Sequence, residues 1–496
     1  MLRSNGSRRA IWLIAGAALL AGCTTVGPNF KTPDAPGVAG YTRGTLPPDT
    51  ASAPGALGAA QRFVPAAGTA TEWWHEFGST RLDDLVAQAL AHSPTLAAAE
   101  ATLRQAQQTY AAEAGSTLYP TLGAKLSASR NEADSSSTGQ RNATHNLYSL
   151  YNAGVAVNYN LDLFGGNRRA LEALAAQADY QGYQLAGARL TLAANVATTA
   201  FIQAQLAAQI QAAQAILKAQ QDQLDIARKR FDLGASAKPE VLTLQTQVEQ
   251  TRATVPPLVN RLQQADHLLA ILVGQAPGAV DIPRFTLSEF RLPDSLPVVV
   301  PSELVRQRPD IQASAALLHV ATAQYGVAVA DLYPQINLSA TLGTQALTIG
   351  GLFGPGTLVW TLAGQLAQPL FNAGLKSATN AAEASLQAAG ANYQQTVLQA
   401  LRNVADALRA LDNDAQTLQA QAAADASAQE SLALAQQQYQ LGAASFLQLL
   451  IVQQQAQQTG INLIAAQAQR LADTAAFYQA MGGGAFADAQ RTARTE

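Results

Sequence analysis

Tyr151-Asn152-Ala153-Gly154-Val155-Ala156-Val157-Asn158-Tyr159-Asn160-Leu161 alternates apolar and polar side chains, with Ala156 the one mild exception. A period of two sends alternate side chains to opposite faces of a strand, here one apolar face and one wet face. Just upstream, Leu122, Leu126 and Ala128 alternate with Lys125, Ser127 and Ser129. Together they predict a strand pair over about 121–163. The pattern returns later. Ile336, Leu338, Ala340 and Leu342 alternate with Gln335, Asn337, Ser339 and Thr341, and Leu358, Trp360, Leu362 and Leu366 alternate with Thr361 and Gln365. This second pair is expected over about 335–368. The connecting stretches, 131–146 and 344–357, read as polar or Gly-rich loops.

The chain outside the strands is also written twice. Ser93-Pro94-Thr95-Leu96 opens a helical stretch closing at Leu118-Tyr119-Pro120, and Arg308-Pro309-Asp310-Ile311 opens one closing at Leu332-Tyr333-Pro334. Leu163-Phe164 recurs as Leu370-Phe371, and Asn195-Val196-Ala197 as Asn403-Val404-Ala405. Phe231-Asp232-Leu233-Gly234-Ala235 recurs as Tyr439-Gln440-Leu441-Gly442-Ala443. The offset is about 215 residues at the two proline landmarks and about 208 at the three that follow, which marks a tandem repeat over 72–274 and 302–482. Each copy reads as short helix, strand pair and very long helix pair. Five prolines from Gly274 to Pro301 mark 275–301 as a linker, expected to pass round the outside of the helical body.

Residues 167–233 and 376–441 contain no proline, and each would run about 100 Å as a helix. Such lengths argue for coiled coils. A seam shows at Ile210, Leu217, Leu224 and Phe231, with Leu418, Asp425, Leu432 and Tyr439 as its counterpart. Asp425 reads as an exposed acid beside a wide lumen. Pro256-Pro257 is expected to end or bend the helix that follows the first hairpin. Only 13% of residues are charged, against roughly 25% in ordinary globular chains. Alanine and glutamine fill the helices instead, which suits close side-by-side packing.

Arg3, Arg8 and Arg9 precede a short apolar core from Ala10 to Leu20, the pattern of a secretory signal over 1–22. It ends in Leu20-Ala21-Gly22-Cys23, which resembles the bacterial lipobox. That resemblance implies a mature N-terminus at Cys23 carrying N-palmitoyl and S-diacylglycerol lipid. Thr24 follows, not the aspartate of an inner-membrane retention signal, so the implied destination is the periplasmic face of the outer membrane. Residues 24–71, rich in Pro, Gly, Ala and Thr, read as part of a lipidated tether over 23–71 that lies along a surface and is not a domain.

An apolar strand face suits either a soluble sandwich core or a lipid-facing barrel wall. The outer-membrane address favours the barrel, and Asn, Gln, Ser and Thr on the other face suit a water-filled lumen. Tyr148, Tyr151, Tyr159, Phe353 and Trp360 lie near expected strand ends, as girdles would. Four strands cannot close a barrel, and open edges are not tolerated in lipid. Two copies give eight strands and a filled interior, while three give twelve and a generous lumen. The chain therefore reads as an obligate cyclic homo-oligomer.

Trp73-Trp74 followed by Phe77, Leu82 and Leu85 resembles the opening of the outer membrane factor family, the TolC, OprM and NodT group. The match continues through Leu161-Asp162-Leu163-Phe164-Gly165, Val255-Pro256-Pro257-Leu258, Pro301-Ser302-Glu303-Leu304, Arg308-Pro309-Asp310-Ile311 and Gly326-Val327-Ala328. The resemblance implies a mainly α chain with four strands that complete a trimeric, twelve-stranded outer-membrane β-barrel on a long periplasmic α-helical barrel. It implies export of small solutes (drugs, toxic compounds or metals) from an inner-membrane transporter through a periplasmic adaptor. The hairpin tips map to 231–236 and 439–445, so Phe231, Asp232, Gly234, Ser236, Tyr439, Gly442 and Ser445 are the implied adaptor-contacting residues. Glycine at 234 and 442 suits a helix end that needs positive φ. Where related sequences read Leu-Leu-Asp, this one has Leu449-Leu450-Ile451. That departure replaces an acidic aperture with Leu447, Leu450 and Ile451, an apolar constriction that would gate by dewetting.

Other classes fit poorly. A net charge of −3 gives no basic face for nucleic acid. The five histidines, His75, His92, His145, His267 and His319, have no metal-ligand spacing, and one cysteine makes no disulfide framework. Gly350-Gly351 and Gly482-Gly483-Gly484 lack the Lys-Ser/Thr of a phosphate loop, so no enzyme and no cofactor is expected. Gly482–Gly484 instead reads as the stop of the last helix, before a loose tail over 483–496. Arg308-Pro309-Asp310 reads as a helix start. A periplasmic coiled-coil scaffold or adaptor lipoprotein would explain the long helices but not the strand pairs. The same channel fold serving type I protein secretion is the other alternative.

Overall fold

The computed structural model describes residues 25–35, 37–38, 40–134, 145–279 and 281–484. The expected signal, Cys23 and most of the expected tail lie outside the described residues, as does most of the first strand-pair loop. In chain order the first half holds β1 (Arg62–Ala66), α1 (Thr80–His92), α2 (Pro94–Thr117), β2 (Thr121–Asp134), β3 (His145–Leu161), α3 (Gly166–Asp232) and α4 (Lys238–Leu272). The second half holds β4 (Ser295–Val299), α5 (Pro301–Gln307), α6 (Pro309–Ala330), β5 (Gln335–Ala346), β6 (Leu358–Ala367), α7 (Ala373–Gln440) and α8 (Phe446–Ala480). The repeat is visible in the lengths: α3 and α7 have 67 and 68 residues, and α4 and α8 have 35 each.

Contacts divide the chain into two units that each draw on both repeats. The first contains Met1–Pro33, Leu103–Gln181 and Ser314–Tyr393. Its centre is an antiparallel sheet in the order β2-β3-β5-β6, so the two strand pairs join through β3 and β5. The strands run further than their polarity suggests, since β2 continues to Asp134 and β5 to Ala346. Ladder hydrogen bonds extend wherever the partner strand continues, whatever the side chains.

Residues 25–30 are strapped onto this unit. Val26 N donates to Phe164 O, while Arg169 donates to Val26 O, Gly27 O and Asn29 Oδ1. Arg169 is 3% exposed and also pairs with Glu172 at 2.7 Å. Glu172 accepts from His319 at 2.8 Å, and Phe30 stacks on the His319 ring. Burial opposes ionisation of Glu172, but His319 and Arg169 outweigh it and hold the carboxyl below its usual range.

The second unit contains Asp34–Thr102, Gly182–Ala313 and Gln394–Glu496. Its core is aromatic. Trp73 stacks on Tyr478, and Phe77, Phe201, Phe290 and Phe285 follow one another at centroid distances of 4.9, 4.9 and 5.7 Å. Each ring carries a large apolar area, so this chain of contacts is a main source of the unit's burial. Gln203 holds the linker against the core, accepting from Phe285 N at 2.8 Å and donating to Pro283 O and Asp266 Oδ1.

The tether and linker are extended segments held by pairing and burial. β1 of the tether pairs parallel with β4 of the linker, and Leu57, Gln61, Leu292 and Leu296 are buried. Neither strand was legible as such, because Phe63-Val64-Pro65 and Leu296-Pro297-Val298 are short and contain proline. Pro256-Pro257 does not end the helix: α4 continues through both residues. They sit on the exposed side, where the carbonyls they leave unpaired meet water, while Leu244 and Val248 below and Leu262 and Ala265 above anchor the helix by burial. Pro309 does start α6, as expected, and buried Arg308 donates to Ala480 O at the end of α8 while gripping Asp310 with two nitrogens.

Two helices, α3 and α6, contain windows apolar enough by composition to cross a membrane, with 44% of each window buried in the chain's own packing.

Candidate functional site

Strand register decides which side chains share a face of the sheet. Leu122, Val157, Ala340 and Leu362 form one row, and Ala124, Val155, Leu342 and Trp360 the next. Leu126, Ala153, Thr344 and Leu358 form a third. The opposite face carries Thr121, Asn158 and Ser339 in one row and Ser127, Asn152 and Gln345 in another. Asn160, Asn337 and Gln365 continue it at one end. Asn152 Nδ2 donates to Ser127 Oγ across that wet face.

Among the described residues, nothing covers the apolar face. Leu122, Leu126, Leu342, Trp360 and Leu362 are 73, 79, 52, 72 and 75% exposed. A water-soluble surface rarely shows so large a continuous apolar patch. From Tyr151 to Leu161 it spans about 34 Å along β3, hence about 25 Å of height at a 40° tilt, the thickness of a barrel's lipid belt. Tyr151 stands at one end of this face, and Tyr159 lies one row inside Leu161, Ile336 and Leu366 at the other. Tyr148 is not on this face, since it pairs with Asn131 on the wet one. Trp360 stands mid-belt opposite Leu342, and Phe353 is in the β5–β6 connection, 82% exposed. The outer strands β2 and β6 each have one unpaired edge.

At the far end of the long helices, both turns are built alike. Gly234 N donates to Phe231 O and Ala235 N to Arg230 O; Gly442 N donates to Tyr439 O and Ala443 N to Gln438 O. These are two Schellman closures, with Gly234 at φ 73° and Gly442 at φ 76°. Ser236 Oγ donates to Ala227 O, and Ser445 caps α8 by accepting from Gln448 N. The hairpins are tied together by Tyr439, whose hydroxyl donates to Glu240 and accepts from Arg230. Burial, then Glu240, raises the Tyr439 pKa. Arg230 and Glu240 escaped sequence reasoning, because charges in a last and a first helical turn look like ordinary dipole partners.

Asp232 lies in the last turn of α3, and the leucine beside each tip glycine, Leu233 and Leu441, is 84% exposed. Phe231 is 41% exposed. Leu447 and Ile451 share one open stripe of α8, at 64 and 58%. Leu450 is separated from them: it is buried beside Leu449 within its own subunit. Asp425 differs from the bare acid expected of it, since it is half-buried and accepts from Thr459 Oγ1 at 3.1 Å. Among the described residues no group of three His, Cys, Asp or Glu side chains converges on a metal-sized site.

A sheet with one lipid-compatible face and open edges, carried on long helix pairs, defines a subunit of a membrane channel. The family model for outer membrane efflux proteins matches residues 85–275 and 300–483. The chain is 30% identical over 432 residues to the pyoverdine export outer membrane protein OpmQ of Pseudomonas aeruginosa, covering 86% of this chain and 90% of that one. It is 28% identical to the solvent efflux pump outer membrane protein SrpC of Pseudomonas putida, covering 94% and 96%. The solved outer-membrane channel OprN superposes with a TM-score of 0.83 at 26% identity, covering 93% and 100%. The chain belongs to the outer membrane efflux protein family. It is the outer-membrane channel component of an efflux system.

Proposed function

We propose that three copies of this chain close one twelve-stranded barrel, anchored by lipid on Cys23, and that a periplasmic adaptor and an inner-membrane transporter feed it. The observation that carries this reading is the open sheet with its uncovered apolar face. β2 and β6 run antiparallel to each other, so β6 of one copy can pair with β2 of the next and continue the alternation round a ring. Twelve strands leave a lumen for the Asn, Gln, Ser and Thr face, whereas eight would fill it with side chains. The strap at residues 25–30 supports the anchor, because it fixes the chain just after Cys23 to the unit that holds the sheet.

The tips fit the adaptor role. Leu233, Leu441 and Phe231 are apolar groups left in water at the helix turns, and apolar burial would drive docking there. The open Leu447 and Ile451 support an apolar narrowing of the entrance, while Leu450 is buried within the subunit. The cargo is small solutes, a reading supported by relatives named for pyoverdine export and for solvent efflux. The mature protein purified in detergent should run as heat-modifiable trimers and open single channels in planar bilayers. A water-soluble monomer without conductance would overturn the reading.

A further inference from the structure

The wet face of the sheet carries one fixed charge. Among its described strand residues the polar side chains are Asn, Gln, Ser, Thr and Tyr148, and the single ionised group is Lys125. Arg130 and Glu132 of β2 fall on the other face, beyond the apolar rows and beside Ser149 and Leu147. Below the strands, Asp162 is engaged by Arg168, whose backbone N–H lies 2.9 Å from Oδ2. No carboxylate shares the face of Lys125 among those residues.

The row around Lys125 is bare. Its partner on β3 is Gly154, which pairs with Gly343 on β5, which in turn faces Val359 on β6. Two rungs along β2 on the same face stand Gly123 and Ser127, with Ala156 diagonal on β3. The glycines cannot acquire side chains cheaply. A Cβ on Gly154 would lie 2.7 Å from Leu342 O, and one on Gly343 would lie 2.6 Å from Ala153 O. Backbone packing therefore keeps an empty strip across two strands beside Lys125. Its exposed ammonium meets solvent there, with no partner among the described residues.

We propose that Lys125 sets the charge preference of the membrane-spanning segment, giving it an anion-favouring ring of three ammonium groups. This rests on the trimeric reading above. A like-signed ring in a low-dielectric wall focuses field into the lumen and raises the local concentration of counter-charged solute. The solutes favoured are organic anions, those bearing carboxylate or phosphate groups. At about 0.1 M salt the field decays over about 10 Å, so the ring acts on solute passing near the wall.

The test is reversal potential in planar bilayers under a KCl gradient near 0.1 M, with each variant first checked as a heat-modifiable oligomer. Wild type should prefer chloride. Lys125→Arg should keep that preference, Lys125→Gln should reduce the permeability ratio by about twofold or more, and Lys125→Glu should invert it. Oligomers that insert but give no conductance even as wild type would overturn the channel reading itself. Conducting channels whose ratio is unmoved by both Lys125→Gln and Lys125→Glu would overturn the role of Lys125 and leave the channel standing. If Lys125→Glu fails to assemble, Lys125→Gln against Lys125→Arg decides the matter alone.

Discussion

Arg470 is a cation almost sealed in the second unit, at 1% exposure. Its guanidinium donates to Leu57 O, Thr50 Oγ1 and Gln61 Oε1, all from the extended N-terminal segment. Burial lowers its pKa to about 10, and Asp414 pulls the other way. Burying a charge is costly unless it is hydrogen-bonded, and these three bonds offset that cost although Nε is left without a partner. Arg470→Met should therefore cost on the order of 3 kcal/mol and release the segment around β1. The check is a lower denaturation midpoint together with new protease cleavage near residues 50–66; an unchanged cleavage pattern would count against the anchor. Nothing in the sequence announces this residue. An Arg in a Gln- and Ala-rich helix, with Asp473 three positions on, reads as a solvated charge. Its partners lie more than 400 positions away and are assembled only by the fold.

Among the elements, α7 and α8 carry a half-buried acid pair. Asp414 of α7 is raised from 3.8 to about 7, first by burial and then by the neighbouring Asp473 of α8. Asp473 also accepts from Gln469 at 2.9 Å. A protonated Asp414 can donate to Asp473, whereas two ionised carboxylates repel. The native pKa is raised, so the native state holds the proton more tightly than the unfolded chain does. The stabilisation is full below about pH 4 and is lost as pH rises through about 7. Asp414→Asn should match wild type near pH 3.5 and exceed it at pH 8, and thermal melts at the two pH values measure this. A parallel fall in both proteins would assign the pH dependence elsewhere. The elements themselves were largely legible. Period-two alternation located all four sheet strands, and the missing prolines located α3 and α7. Polarity alone shortened β2 and β5, because hydrogen-bond partners, not side chains, decide where a ladder stops. Pro256-Pro257 did not end α4, because packing on both sides kept it helical despite two lost donors.

For the whole molecule, the close approach of β3 and β5 at Gly154 and Gly343 joins the two repeats into one sheet. Gly343→Val would drive a branched side chain against Ala153 O and Gly154 Cα and separate the strand pairs. Helical content by circular dichroism should persist, while heat-modifiable trimers and bilayer conductance disappear. Trimers of wild-type stability would refute the role of this contact. The sequence alone determined the tandem repeat, the wet and apolar strand faces and the long helices, because these are periodicities that each segment carries within itself. It also determined that four strands need partners, since an open edge in lipid has no other remedy. Tertiary structure decided the rest. The tether and linker became paired strands, Leu450 was buried while Leu447 and Ile451 stayed open, Tyr439 met Glu240 and Arg230, and Lys125 was left alone on its face. Those outcomes depend on residues distant in the chain meeting at fixed register, and no local pattern encodes which distant neighbour arrives.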